Sequence, residues 1–262
     1  MNTQNDLDNA IDTFLKTVNL AVRKPEPTEL VDDEDADRYN VACDYAENSD
    51  PGLIVEALKL EGGIRGKRIL EIGFGPGYLC RELLEAGAAY VVGADPAQVM
   101  LAHARQKYST EIKERKMNFV PTSVYDITRG FMGGFDLVVC QNSFHQLFEP
   151  QQALEGMINA IKQRGEVHIF DFRRDITSKL LAQRIRYTKP AIWQDLANSI
   201  CAALTKEEVR EYLNNIQGIK FTVANATNPA ELSEQARELI VRDPVPHYKD
   251  YLISQRIKIH KL

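Results

Sequence analysis

Residues 68–77 read Arg-Ile-Leu-Glu-Ile-Gly-Phe-Gly-Pro-Gly, and this stretch decides the fold. It begins as a short apolar run that carries one acid, Glu71, and then breaks into glycines at Gly73, Gly75 and Gly77. The residues from Tyr78 onward indicate the start of a helix. The pattern therefore predicts a strand, a glycine-rich loop and a helix. Because glycine has no Cβ and reaches positive φ at little cost, such a loop lets a ligand approach bare backbone.

A second predicted strand ends in a carboxylate. The run Tyr90-Val-Val-Gly-Ala-Asp95 places Asp95 eighteen residues after Gly77. An acid at the end of the second strand can accept hydrogen bonds from both hydroxyls of a ribose. The two strands together predict a site for a nucleoside cofactor.

The loop does not fit the common phosphate-binding patterns. A dinucleotide fingerprint needs a third glycine that lets helix and strand pack closely, and this chain has Tyr78 there. Glu71 would repel a pyrophosphate but attract a cationic α-amino group. No Gly-Lys-Ser/Thr follows the loop, so the Walker A pattern also fails. NAD-dependent oxidoreduction is therefore disfavoured.

The motif Glu71-x-Gly73-x-Gly75-x-Gly77, with Asp95 downstream, resembles the cofactor motifs of the class I S-adenosylmethionine (SAM) methyltransferases. The resemblance implies an α/β fold with a doubly wound, seven-stranded, mostly parallel sheet. It also implies that the loop cradles the amino-acid half of SAM, that Asp95 holds the ribose, and that the product is S-adenosylhomocysteine (SAH).

The likeness continues through the next three predicted strands. It implies that the segment beginning at Pro96 lies under the adenine. The family commonly has Gly-Asp where this chain has Thr122-Ser123, so the hydroxyl of Ser123 and the backbone of Val124 would supply the adenine contacts. Asn142 follows the fourth strand and is a further cofactor candidate. Tyr39 is a candidate lid aromatic, since its ring could attract the sulfonium.

The alternation of strands and helices from Lys67 to Phe172 predicts a parallel sheet covered on both sides. Residues 155–165 are expected to form a helix ending at a glycine, and the fifth strand follows. Residues 1–60 are expected to form a helical cover, and residues 61–262 the SAM-binding domain. Lid-like insertions are expected at about 174–204 and 226–250.

Composition narrows the class of protein. The chain has 262 residues and a net charge of −5, which argues against a broad nucleic-acid footprint. No apolar stretch approaches the ~18–20 residues of a membrane span, and no signal-peptide pattern is present, so we expect a cytoplasmic protein. Four scattered cysteines without Cys-x-x-Cys indicate neither a zinc site nor a disulfide framework, and no metal is expected. The sequence does not indicate an oligomeric state.

Further candidates lie where substrate should enter, outside the carboxyl ends of the strands. His145 follows the fourth strand and is either a general base or a residue that only shapes the pocket. Arg173 and Arg174 follow the fifth strand and would either clamp an anionic substrate or pair with nearby acids. Tyr187 and Trp193 are candidate substrate contacts, with core packing as the alternative.

The sequence therefore predicts a methyltransferase that acts on a small-molecule acceptor by in-line displacement. Three alternatives remain. The chain could be a non-catalytic SAM-binding sensor or scaffold, it could methylate a peptide or protein, or it could transfer an aminopropyl or carboxy group.

Overall fold

The computed structural model describes residues 4–26, 50–127, 130–188, 192–226, 234 and 253–262. Within these residues, the helices are all too short or too polar to cross a membrane. The predicted insertion at 226–250 lies almost entirely outside the described residues.

The described residues form a sheet of seven strands, as the resemblance implies. The order across the sheet is β3-β2-β1-β4-β5-β7-β6, and β7 runs antiparallel to both of its neighbours. The other pairs, β1 with β2 and β4, β2 with β3, and β4 with β5, are parallel. The strands are β1 Arg68–Ile72, β2 Tyr90–Ala94, β3 Met117–Val120, β4 Phe135–Gln141, β5 Ile161–Phe172, β6 Ile219–Asn225 and β7 Ser254–Lys261.

Helices cover both faces of the sheet. They are α1 Gln4–Thr17, α2 Asp50–Leu60, α3 Tyr78–Glu85, α4 Gln98–Lys107, α5 Ser109–Lys113, α6 Pro150–Ala160, α7 Ser178–Tyr187, α8 Trp193–Ala202 and α9 Lys206–Asn214. Two 3₁₀ turns, Val124–Asp126 and Phe144–Gln146, follow β3 and β4. Thr205 and Glu208 form a capping box at the start of α9.

Successive residues of each central strand enter opposite cores, which is why the strands read as continuous apolar runs. Ile69 packs in a cluster with α2, α3 and α4, whereas the next residue, Leu70, packs with α6 and α9. The doubly wound architecture is therefore confirmed. A third cluster joins α1 to α7 and α8 around Ile11, Leu181 and Trp193.

One local prediction is wrong. The helix expected at 155–165 ends at Ala160, and β5 begins directly at Ile161. Ile161 is fully buried and pairs with Phe135 across the sheet, so tertiary pairing overrides the local helical pattern. Arg164 then takes a φ of 64°, a left-handed conformation that no helix interior tolerates.

Candidate functional site

The glycine loop joins β1 to α3 at the carboxyl edge of the sheet. Gly73, Gly75 and Gly77 have φ values of 69°, 50° and 80°, in the region that favours glycine. A Cβ on Gly73 would lie 2.4 Å from the hydroxyl of Ser143, and one on Gly77 would lie 2.8 Å from the ring of Tyr108. Both the backbone conformation and the close packing therefore require glycine at these two positions.

Glu71 is buried beneath this loop, with 2% of its surface exposed. Its carboxyl accepts hydrogen bonds from the amide and the thiol of Cys80 in the first turn of α3. Burial raises the pKa of Glu71 to about 8, and the neighbouring charge of Asp95 acts in the same direction. Oε2 has no hydrogen-bond partner among the described residues. A buried carboxyl with a free oxygen is suited to a cationic ligand group.

Asp95 follows β2 and joins the loop after β2 to the glycine loop. Its Oδ1 accepts the amide of Ala97 at 2.9 Å, and its carboxylate also accepts the amide of Gly75. Burial raises the pKa of Asp95, and these two amides oppose the rise. Pro96 follows it and is exposed. The acid that the sequence assigns to a ribose thus lies against the glycine loop.

The loops after β3 and β4 complete the same edge. The hydroxyl of Ser123 accepts the amide of Tyr125 at 3.3 Å and caps the 3₁₀ turn, in which Val124 is buried. Asn142 has a φ of 46°, and its backbone amide donates to the backbone carbonyl of Phe170 on β5. The hydroxyl of Ser143 donates to the carbonyl of Gly73 at 3.2 Å, so the β4 loop contacts the glycine loop directly.

His145 and Asp171 form a buried pair two residues beyond that contact. Nδ1 of His145 lies 2.7 Å from Oδ1 of Asp171, and its backbone amide donates to Oδ2 at 2.6 Å. Burial lowers the pKa of His145, but Asp171 and Glu26 outweigh it, and the net shift is upward. The ring orientation is therefore set by Asp171.

Sequence reasoning missed the segment after α1, which packs on the His145 turn. Arg23 donates to the carbonyls of His145, Leu147 and Ala202 at 3.0, 2.9 and 2.7 Å. Glu26 places Oε2 3.6 Å from Nε2 of His145 and accepts the hydroxyl of Ser199 at 3.2 Å. The available signal was Pro25-Glu26-Pro27, a pattern that disfavours helix and favours extended backbone around an acid.

The arginines after β5 are engaged by acids. Arg174 is buried and makes a bidentate pair with Glu208, an acid distant in sequence, at 2.6 and 3.0 Å. Arg173 pairs with Asp175 at 3.3 Å.

The three candidate aromatic residues have different surroundings. Trp193 is buried, packs edge-on against Phe14 with ring centroids 5.9 Å apart, and lines an open cavity of about 710 Å³ between α1 and α8. Tyr187 is the last residue of α7, and Tyr39 lies outside the described residues.

Nothing in the described part of the chain groups three or more His, Cys, Asp or Glu side chains in a way that could hold a metal ion. Cys80, Cys140 and Cys201 are buried free thiols. Burial raises the pKa of each of them.

Comparison with known proteins finds methyltransferases that resemble this chain. A family model described as "Methyltransferase domain" matches residues 69–165. This stretch is similar to a methyltransferase domain. The matched stretch contains the glycine loop, Asp95 and the turn that carries His145.

The curated relatives are distant. The ubiquinone biosynthesis O-methyltransferases of Escherichia fergusonii and Erwinia tasmaniensis are each 27% identical, over 124 and 123 residues. These alignments cover 46% of this chain and 49% or 48% of the relative, so the chain spans about half the length of the curated relatives it matches.

Solved methyltransferases share the whole fold. The plantazolicin methyltransferase BpumL, in complex with a triazolic desmethylPZN analog and SAH, has a TM-score of 0.66 and 12% identity, with 99% of each chain covered. A SAM-dependent methyltransferase from Aquifex aeolicus has a TM-score of 0.58 and 15% identity, covering 88% of this chain and 99% of that one.

Proposed function

We propose that this protein transfers a methyl group from SAM to a small-molecule acceptor and releases SAH. The observation that carries the proposal is Glu71, whose buried carboxyl has a free oxygen beneath a glycine loop. Asp95 adjoins the same loop from the next strand. Ligands of open α/β sheets bind at this edge, and the residues concerned lie within or beside the methyltransferase domain.

The residues present fit this cofactor. Glu71 would pair with its α-amino group, and Asp95 would accept the ribose hydroxyls. The adenine side would be formed by Pro96, Ser123 and Val124. The proposed set also includes the glycine-loop backbone, Asn142 and, from the undescribed segment, Tyr39. The buried free oxygen of Glu71 supports the assignment, since a cationic group would satisfy it.

The cofactor supplies an activated methyl group on a sulfonium. The chain contributes alignment, exclusion of water and, where the nucleophile carries a proton, a group that accepts it. Loops after β1, β2, β4 and β5 converge at one edge, and the Ser143–Gly73 hydrogen bond fixes two of them to each other. His145 is included in the transfer site because it follows this contact.

Two observations support a small-molecule acceptor. The net charge of −5 disfavours a polyanionic partner such as RNA or DNA. The relatives identified by sequence are named for ubiquinone biosynthesis, and the compared structures include a methyltransferase bound to a desmethylPZN analog. The arginine pair proposed to clamp an anionic acceptor is engaged by Asp175 and Glu208, so an uncharged or cationic acceptor is favoured.

The first test is cofactor binding. Calorimetry with SAM and SAH should show binding, and both ligands should raise the melting temperature. Glu71→Gln and Asp95→Asn should each weaken binding, whereas Glu85→Gln on the exposed face of α3 should not. Absence of heat and of stabilisation with both ligands would refute the proposal.

The second test is transfer. Incubation with deuterated-methyl SAM and a protein-free metabolite extract should yield a labelled small molecule and SAH by mass spectrometry. Binding without SAH formation would indicate a sensor or scaffold instead. A spent cofactor other than SAH would indicate aminopropyl or carboxy-group transfer.

A further inference from the structure

Three ionisable side chains form a row that begins in the core and ends at the segment after α1. Asp171 lies 2.7 Å from Nδ1 of His145, and Nε2 of the same ring lies 3.6 Å from Oε2 of Glu26. The row brings β5, the β4 loop and the segment after α1 together at the carboxyl edge of the sheet.

Asp171 is held by three hydrogen-bond donors. Oδ2 accepts the amide of His145, and Oδ1 accepts both the imidazole Nδ1–H and the amide of Phe172 at 2.7 Å. Its role is to hold the ring of His145.

Exposure increases along the row and decides which member an acceptor can reach. The side chains of Asp171 and His145 are 1% and 2% exposed, whereas that of Glu26 is 16% exposed. Nε2 of His145 is buried and has no hydrogen-bond partner among the described residues. Glu26 is therefore the accessible end of the row, and the His145 imidazole is buried between Glu26 and Asp171.

We propose that Glu26 is the catalytic base of the transfer, that His145 is a positioning residue for its carboxylate, and that the acceptor carries an O–H or N–H. The inference rests on the proposed methyl transfer. As the acceptor–methyl bond forms, the S–CH₃ bond breaks and leaves its electron pair on sulfur. The acceptor proton passes to a carboxylate oxygen of Glu26, and its bonding electrons stay on the nucleophile.

The surroundings suit this role. Burial raises the pKa of Glu26, while His145 and the hydroxyl of Ser199 oppose the rise. Among the described residues, Asp195 on α8 and Arg23, whose guanidinium is held by backbone carbonyls, also act on the row. A carboxylate with a raised pKa is a stronger base near neutral pH than an ordinary one.

The test compares Glu26→Gln with His145→Gln and with Ser199→Ala, which keeps the carboxylate and removes only its hydroxyl partner. The substrates are deuterated-methyl SAM and the protein-free metabolite extract. Glu26→Gln should lower turnover by about 100-fold or more at every pH and leave SAH affinity unchanged. Ser199→Ala should change turnover by less than about tenfold, since a neutral hydrogen bond contributes roughly 1 kcal/mol.

His145→Gln separates the two candidate bases. Loss of the neighbouring cation should raise the pKa of Glu26, so the rise of turnover with pH should move to higher pH while activity persists. Loss of turnover at every pH in His145→Gln, with normal turnover in Glu26→Gln, would make His145 the base and overturn the inference.

Failure of the proposed function gives a different result, because the wild-type protein would then form no labelled product. In that case, ¹³C NMR of the Glu26 carboxyl still tests the row. Its titration midpoint should rise by about one unit or more in His145→Gln, and an unchanged midpoint would refute the coupling.

Discussion

The charge of Glu71 should control the stability of the ligand-free protein. Burial raises the pKa of this carboxyl from 4.5 to about 8, so at pH 7 the folded protein keeps it protonated while the unfolded chain ionises it. Stability from a group with a raised folded pKa is complete below the unfolded value and is lost as pH rises through the folded value. At pH 7 the loss amounts to roughly 3 kcal/mol.

Glu71→Gln removes this dependence and keeps the shape of the side chain. The variant should melt close to the wild type at pH 4.5 and well above it at pH 8, at roughly 2–4 °C per kcal/mol. The matched control is Glu85→Gln, whose carboxylate is 66% exposed and should leave the difference between the two pH values unchanged. Equal melting temperatures of the Glu71→Gln variant and the wild type at pH 8 would refute the reasoning.

Glu71→Gln, which should stabilise the ligand-free protein, should weaken its affinity for the cofactor. Below pH 8 the wild type must release a proton from Glu71 before the carboxylate can pair with an ammonium group, so SAH should bind about tenfold more tightly at pH 7 than at pH 6. Glu71→Gln should show no such slope and should bind roughly 10–100-fold more weakly at pH 8. Calorimetry in two buffers of different ionisation enthalpy measures the released proton, and a flat wild-type profile would contradict the linkage.

Two further predictions concern stability. Arg115 follows α5 and has a φ of 57°, which strains a residue with a side chain. Arg115→Gly should therefore raise the unfolding free energy by about 0.5–1 kcal/mol, whereas Lys113→Gly within the helix should lower it. Equal losses of stability for the two variants in thermal unfolding would count against strain at Arg115. Nδ1 of His168 accepts a hydrogen bond from Nη2 of Arg256 at 2.9 Å, and burial lowers the pKa of His168. The unfolded chain therefore binds the proton more readily than the folded protein. The stability of the protein should fall as pH drops below about 6.5. A His168→Gln variant should show a shallower loss in acid melts, and an unchanged slope would remove His168 as the cause.

Local sequence rules predict much of the fold and most of the proposed cofactor site. The strand, glycine loop and helix around Glu71 depend on neighbours within about ten residues, and the position of Asp95 follows from the adjacency of parallel strands. The end of α6 was missed because Ile161 is recruited into the sheet by Phe135, which a local pattern does not contain.

The transfer side depends on contacts between residues far apart in sequence. Glu26 meets His145 across more than a hundred residues, and no periodicity or motif connects them. Arg174 has two acids nearby in sequence, yet it pairs with Glu208 on α9, because burial of its guanidinium requires a bidentate partner from the packed helix. Such pairings follow from packing, and packing is not encoded in short windows.

Arg23 joins the segment after α1 to the turn that carries His145. Arg23 donates to carbonyls of the His145 turn and of α8, and these three hydrogen bonds dock the segment that carries Glu26 on the loop that carries His145. The cofactor contacts proposed for Glu71 and Asp95 need none of this segment, since both acids are held by amides of the core. The two acids proposed to hold the cofactor and the proposed proton acceptor thus lie in separate parts of the chain. Because the proposed base, Glu26, lies on the segment after α1, the proposed transfer site includes residues from that segment and from the core.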